Sequence, residues 1–183
     1  MNSRNMVFIA RSLDGYIADK NGGLDWLNTT PNPDHLDMGY ENFIKRVDAI
    51  VMGRTTFETV CSFDVQWPYK IPVFVLSNSL ESLPEVFKDK AEILKGSLKE
   101  ILEQIHKKGS TRLYIDGGAT IQNFLKEDLI DELIITTIPI LLGGGAPLFG
   151  ELPQELEFEH VESHLYLDAL VQDSYRRKRQ QKL

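Results

Sequence analysis

The chain has 183 residues, of which 42% are hydrophobic and 26% charged; that balance is globular and excludes a disordered polymer. A formal charge of -7 favours solubility and argues against a nucleic-acid partner. The length suits one domain, residues 1–183, able to bury roughly 70% of its unfolded surface. Residues 1–6 are mainly polar, and the apolar run after them is too short for a signal core or a membrane span. The single cysteine, Cys61, rules out an intramolecular disulfide and fits a reducing compartment, so a cytoplasmic protein with no membrane partner is expected.

Along the chain, Val7-Phe8-Ile9-Ala10 is a short apolar run that reads as a buried strand, followed by the turn signal Asp14-Gly15. A helix should carry Tyr40, Phe43, Ile44 and Val47. Ala49-Ile50-Val51-Met52 is a second strand ending at Gly53, and a helix then runs from Thr55 to Val60 with Cys61 just past it, a small semi-buried residue. Val73-Phe74-Val75-Leu76 is a third strand. Ser97 and Glu100 form a capping box for a helix whose apolar stripe is Leu98, Ile101, Leu102 and Ile105, ended by Gly109. Arg112-Leu113-Tyr114-Ile115 is a fourth strand, and a helix from Ala119 to about Lys126 follows it. A fifth strand, Leu133 through Ile138, stops at Pro139. The segment from Leu142 to Phe149, with Gly143-Gly144-Gly145, reads as a loop that lets backbones approach closely. Leu156-Glu157-Phe158-Glu159 alternates, and a strand-like stretch from Ala169 to Tyr175 follows a Leu167-Asp168 turn, giving an antiparallel hairpin. The run Arg176-Arg177-Lys178-Arg179 reads as a solvated, frayed end, with a localisation or phosphate-binding role as the alternative.

Continuous apolar strands alternating with helices predict an α/β fold. The expected architecture is three-layer α/β/α, with a mixed, mostly parallel sheet and an antiparallel C-terminal edge hairpin.

Two strand-to-helix junctions are marked by glycine. At Met52-Gly53-Arg54-Thr55-Thr56 a buried strand meets a helix start, where exposed amides favour anions and Arg54 offers a planar charged fork. The other reading is an ordinary helix entry with a surface arginine. Ile115-Asp116-Gly117-Gly118-Ala119-Thr120 repeats the arrangement, or is a tight turn needing small residues. Two such junctions in one sheet suit a dinucleotide with two anionic groups, bound outside the carboxyl ends of the strands. No Gly-x-Gly-x-x-Gly, P-loop, Gly-x-Ser-x-Gly elbow or Cys-His cluster occurs. The histidines His160 and His164 lie in a strand-like segment and need not converge. Of the carboxylates Asp14, Asp19, Asp25, Asp34 and Asp37, most should cap or turn the chain, and one could assist protonation in a cleft.

In order and spacing these pieces resemble the dihydrofolate reductase superfamily. The carriers are Phe8 through Ala18, the tryptophan-bearing Gly23-Leu24-Asp25-Trp26-Leu27, Ile50 through Glu58, Leu76-Ser77-Asn78, Tyr114 through Ala119, and the strand bearing Thr136. Asp116 before two glycines, where a folate reductase has three, resembles the branch that reduces riboflavin precursors, the RibD C-terminal reductase domain; so does the Leu142–Phe149 glycine loop. The resemblance implies NADPH as cofactor. Gly53, Arg54, Thr55 and Thr56 would hold adenosine-side phosphates, and Leu76, Ser77 and Asn78 the adenine ribose. Gly117, Gly118, Ala119, Thr120 and Ile121 would cradle the pyrophosphate, with Ala10 and Ile17 flanking the nicotinamide. Trp26 and Thr136 would face a small-molecule substrate, and Asp37 and Asp116 would be the catalytic carboxylates. The activity implied is hydride transfer to a ribosylaminopyrimidine; reduction of a pterin or other heteroaromatic, and nucleotide binding without turnover, stay open. The β-branched edge hairpin makes a homodimer the expected assembly.

Overall fold

The computed structural model describes residues 3–63 and 66–179. Strand β1 (Arg4–Ser12) leads through a tight turn to β2 (Tyr16–Ala18), a 3-10 turn at Asp25–Asn28 and the short helix α1 (Tyr40–Ile44). Then come β3 (Ala49–Gly53), α2 (Arg54–Ser62), β4 (Val73–Leu76), β5 (Glu92–Leu94) and α3 (Leu98–Lys107). The chain continues with β6 (Arg112–Asp116), α4 (Gly118–Lys126), β7 (Glu132–Ile138), β8 (Ala146–Pro147), β9 (Phe158–Tyr166) and β10 (Leu170–Arg177). Eight strands form one sheet in the order β5-β4-β3-β6-β1-β7-β10-β9. The first six are parallel, and β10 and β9 add antiparallel at the end. The mixed sheet with its edge hairpin is the expected one.

Each central strand is apolar on both faces because both faces are covered. Alternate residues go to opposite layers. Val7, Val51, Leu113, Ile115, Leu133 and Ile135 pack with Ile101 and Ile105 of α3 and Ile121, Phe124 and Leu125 of α4. Met6, Ile50, Met52, Val75, Tyr114 and Ile134 pack on the other face with Phe43 of α1 and Phe57 of α2. Each fully buried side chain of this size contributes about 1.5–3 kcal/mol. The Ser97 capping box forms as the sequence predicts: Ser97 Oγ accepts from the Glu100 amide at 3.3 Å, and Glu100 Oε2 accepts from the Ser97 amide at 2.8 Å.

Several local features differ from the sequence reading, among them the helix expected to carry Val47, which ends at Ile44. The helix after Gly53 runs to Ser62, so Cys61 lies inside it, partly buried; burial and the Glu58 charge push its thiol up, away from a nucleophile. Strand β5 is three residues long, too short to leave a periodic signal. The β2–β8 ribbon is built from turn and loop residues that come together only in space. The arginine run is not frayed through Arg179: Arg176 and Arg177 are in β10, and the Arg177 side chain, only 9% exposed, donates from Nε to Asp128 at 2.7 Å. Arg176 pairs with Glu159 and Arg179 with Asp131, so these three cations bind neighbouring carboxylates. A bulge in β9 pairs His160 with Tyr175 and His164 with Gln172, on opposite faces, so the two histidines do not converge.

Phe124 is fully buried in the α3–α4 layer. Phe124→Ala should lower unfolding free energy by about 3–5 kcal/mol, read from the shift in urea midpoint.

Candidate functional site

The parallel strands deliver their carboxyl ends to one edge of the sheet, and β6 and β1 lie side by side at its centre. Three helices, α2, α3 and α4, start at this edge, after β3, β5 and β6, and their starts are not alike. Neither α2 nor α4 has a side-chain cap or an acidic residue in its first turn, whereas α3 has both. A side-chain cap is worth about 1 kcal/mol. α2 and α4, which follow β3 and β6, forgo it, leaving their first-turn amides for another acceptor.

The two glycine junctions interlock. β3 pairs with β6 in a register that sets Met52 against Asp116. A Cβ on Gly53 would sit 2.9 Å from Thr120 Oγ1, and one on Gly117 would collide with Thr56 Oγ1. Gly117 also has φ +89°, a backbone that side-chain-bearing residues rarely adopt. Over the start of α4 lies the β2–β8 ribbon: a Cβ on Gly118 would meet Ile17 Cδ1 at 2.7 Å. Gly145 closes the ribbon, with no room for a Cβ against the Ala18 carbonyl, as a close-approach loop requires. Asp14 fastens the loop, accepting from Ser12 Oγ at 2.6 Å and from the Gly143 and Leu142 amides at 2.8 and 3.1 Å. These bonds, the Ser12 hydroxyl foremost, hold its carboxyl below the usual range.

Asp116 ends β6 beside this edge. The Gly117 amide donates to its Oδ1 at 2.9 Å. Tyr114, two residues earlier and therefore on the same face, borders it and donates to the Phe8 carbonyl at 3.0 Å. Burial pushes the Asp116 carboxyl up to about 6, against the opposing pull of the Gly117 amide. Tyr40 and Tyr69 feel the same carboxylate. Burial first and the Asp116 charge second push the Tyr40 phenol up to about 12, and the same causes raise Tyr69 well above its ordinary value. Phe8, Tyr40, Phe43 and Tyr114 form the aromatic wall, with Phe8 and Phe43 stacked at 4.9 Å and Tyr40 edge-on to Phe8 at 5.6 Å.

On β7, Thr136 Oγ1 accepts from Gln172 Nε2 at 2.9 Å, and the same nitrogen donates to the Met38 carbonyl at 3.0 Å. Trp26 packs nearby with Ile138, Leu170 and Met38; its indole N–H is buried and has no acceptor among the described residues. A buried donor of that kind calls for a ligand oxygen or a bound water. Among the described residues no group of three or more His, Cys, Asp or Glu side chains could hold a metal ion, and no helix is long and apolar enough to cross a membrane.

A model of the RibD C-terminal domain family matches residues 6–168. The chain belongs to that family. A crystal structure described as a putative riboflavin biosynthesis protein of Shewanella sp. PV-4 superimposes with TM-score 0.94 at 57% identity, covering 96% of this chain and 99% of the other. The uncharacterized protein YwjB of Bacillus subtilis strain 168 is 35% identical over 158 residues, 85% of this chain and 87% of its own length. Dihydrofolate reductase from Enterococcus faecalis, complexed with NADP(H), shares the fold at TM-score 0.66 and 18% identity, covering 96% of this chain and 97% of its own. Being a RibD C-terminal domain supports an oxidoreductase of the reductase class.

Within this domain the residues singled out from sequence fall into two groups. Gly53, Arg54, Thr55 and Thr56 open α2, Gly117 through Ile121 open α4, and Leu76, Ser77 and Asn78 leave β4 beside them. Ile17 lies over Gly118, and Ala10 shares the apolar cluster of Trp26. Thr136 lies opposite Ala10 across the β1–β7 pair. Asp37 stands apart: it is exposed and accepts from the Glu41 and Gly39 amides at 2.7 and 3.1 Å, capping the entry to α1. The Glu41 amide, first, holds its carboxyl down, so Asp37 is ionised at neutral pH and has no proton to give. Sequence reasoning missed the tyrosines. Tyr114 was within reach, since two-residue strand spacing puts it on the face of Asp116, but nothing local marks Tyr40 or Tyr69.

Gly117→Ala should destabilise the fold by about 1–2 kcal/mol from its positive φ alone, and more through the Thr56 collision. Adding Thr56→Ala should recover part of that loss, seen as a coupling in thermal unfolding; additive effects would refute the interlock.

Proposed function

We propose that the protein is an NADPH-dependent reductase that transfers a hydride to C1′ of a ribosylaminopyrimidine, opening its sugar to a ribityl chain, in the manner of riboflavin precursor reduction. The observation that carries this reading is the pair of uncapped helix starts, α2 and α4, locked together at the carboxyl edge of the sheet with Asp116 beside them. NADPH would supply the hydride. Gly53, Arg54, Thr55 and Thr56 would take its adenosine-side phosphates, Leu76, Ser77 and Asn78 the adenine ribose, and Gly117, Gly118, Ala119, Thr120 and Ile121 the pyrophosphate. Ala10 and Ile17 would bound the nicotinamide, Ala10 from beside Thr136 and Ile17 from over Gly118.

The chain's own work is positioning and proton supply. Trp26 offers its free indole N–H to a substrate oxygen, directly or through water. Thr136 has its hydroxyl oxygen fixed by Gln172, so its proton can point to the substrate. Asp116, with a carboxyl pushed up to about 6, holds a proton below that pH, keeps it in a minor fraction of molecules at neutral pH, and can release it as the sugar opens. Asp37 is the poorer proton donor because its cap keeps it ionised. The protein is read as cytoplasmic. It is also read as a homodimer, since β9 leaves one side of a nine-residue strand unpaired at the sheet edge.

Titration with NADPH tests the cofactor: micromolar binding is expected, weakened about tenfold or more in Arg54→Ala, and no binding would end the reading. NADPH oxidation with the ribosylaminopyrimidine and none with dihydrofolate supports the substrate; the reverse pattern would make it a pterin reductase, and tight binding without oxidation of either a nucleotide-binding protein.

Asp116 gives a pH signature. Its carboxyl must be protonated to donate, so turnover should fall as pH rises through about 6, and Asp116→Asn should lose that limb along with about 10²–10⁴-fold in kcat. Stability carries the opposite sign. The folded carboxyl titrates above its unfolded value, so the cost of ionising it is absent below pH about 4 and fully present above about 6. Asp116→Asn should therefore raise the thermal midpoint at pH 8 and change it little at pH 4.

A further inference from the structure

Arg54 is already engaged. Its Nε donates to Glu58 Oε1, one helical turn later, at 2.6 Å, and its Nη1 reaches Ser79 Oγ at 3.5 Å. Ser77 Oγ stands 3.4 Å from Ser79 Oγ. One guanidinium, two hydroxyls and one carboxylate thus meet where β3 and β4 end. The charged pair is open to solvent, with the Arg54 and Glu58 side chains 49% and 51% exposed. Among the described residues Glu58 is the carboxylate that pairs with Arg54, and it lies on the helix whose start carries neither cap nor acid.

We infer that Glu58 is a built-in counter-determinant for the 2′-phosphate: it holds an edge of the Arg54 fork that this phosphate needs and repels the arriving charge, so it limits how strongly the protein prefers NADPH over NADH. The inference rests on the NADPH reading above. Two effects of Glu58 oppose each other. By holding Arg54 it pre-organises the fork, but an exposed pair one turn apart is a weak tether, and Ser79 offers a second hold on the same group. Against that, a phosphate bound to Arg54 would stand within a few ångströms of a full negative charge on the same guanidinium, in a place only partly screened by water. Repulsion therefore outweighs pre-organisation. NADH carries no 2′-phosphate, so its affinity should not register the carboxylate.

The test is a set of fluorescence titrations of wild type and Glu58→Gln, each with NADPH and with NADH, in low and in high salt. Expected is NADPH binding about three- to tenfold tighter in Glu58→Gln at low salt, with the gain shrinking in high salt and NADH affinity unchanged. Unchanged or weaker NADPH binding in the variant, or equal tightening of both dinucleotides, would overturn the role of Glu58 while leaving the NADPH reading standing. A wild type that binds neither dinucleotide would remove both. If Glu58→Gln does not fold, Glu58→Ala takes its place with the same expectations.

Discussion

Pairing of β3 with β6 is the constraint on which the rest depends. These strands are far apart in sequence yet adjacent in the sheet, and their register sets Met52 opposite Asp116. Each then turns into a helix through a glycine, and each glycine leaves space that a threonine of the other helix fills: Thr120 against Gly53, Thr56 against Gly117. Side chains at either glycine would push the helices apart. Two sets of first-turn amides therefore converge on one small region instead of facing solvent separately. Arg54 adds the permanent charge at its rim.

Asp116 inherits its chemistry from the same placement. As the last residue of a central strand it is carried beside Tyr40, Tyr69 and Tyr114, and burial there makes its ionised form costly. The Gly117 amide recovers only part of that cost. Asp14 shows the contrast within one chain: it is exposed, accepts three hydrogen bonds, and is held ionised. One carboxylate keeps a loop in place and the other can keep a proton. Their environments make that difference, since the side chains are the same.

Charge at the far end of the sheet does structural work. Asp48 accepts from the Thr111 and Arg112 amides at 3.1 and 3.0 Å and pairs with the Arg112 guanidinium at 2.5 Å, tying the entry of β3 to that of β6. The Arg112 hydrogen bond, foremost, lowers the Asp48 carboxyl to about 2. Arg177 and Arg179 clamp the end of β10 onto Asp128 and Asp131. The amino ends of the strands are thus fastened by ion pairs, while at the carboxyl ends the starts of α2 and α4 carry no side-chain cap.

Local pattern was enough for the five apolar parallel strands β1, β3, β4, β6 and β7, the capping box of α3, the two glycine junctions and the edge hairpin, because each is written in neighbouring residues: an apolar run, a Ser-Glu pair three apart, a glycine after a strand. Fold class followed from their order, and Asp116 could be named because its acid precedes two glycines. Tertiary structure decided the rest. It gave Asp37 a capping role and left Asp116 as the acid with a raised pKa, since burial depends on what the chain brings from elsewhere. It gathered Tyr40, Tyr69 and Tyr114 from three separate segments, built the β2–β8 ribbon from residues that look like loop, and turned an arginine run that reads as frayed into a set of ion pairs. A sequence shows which groups are available; their distances and hydration, which set charge and reactivity, exist only once the strands have found their neighbours.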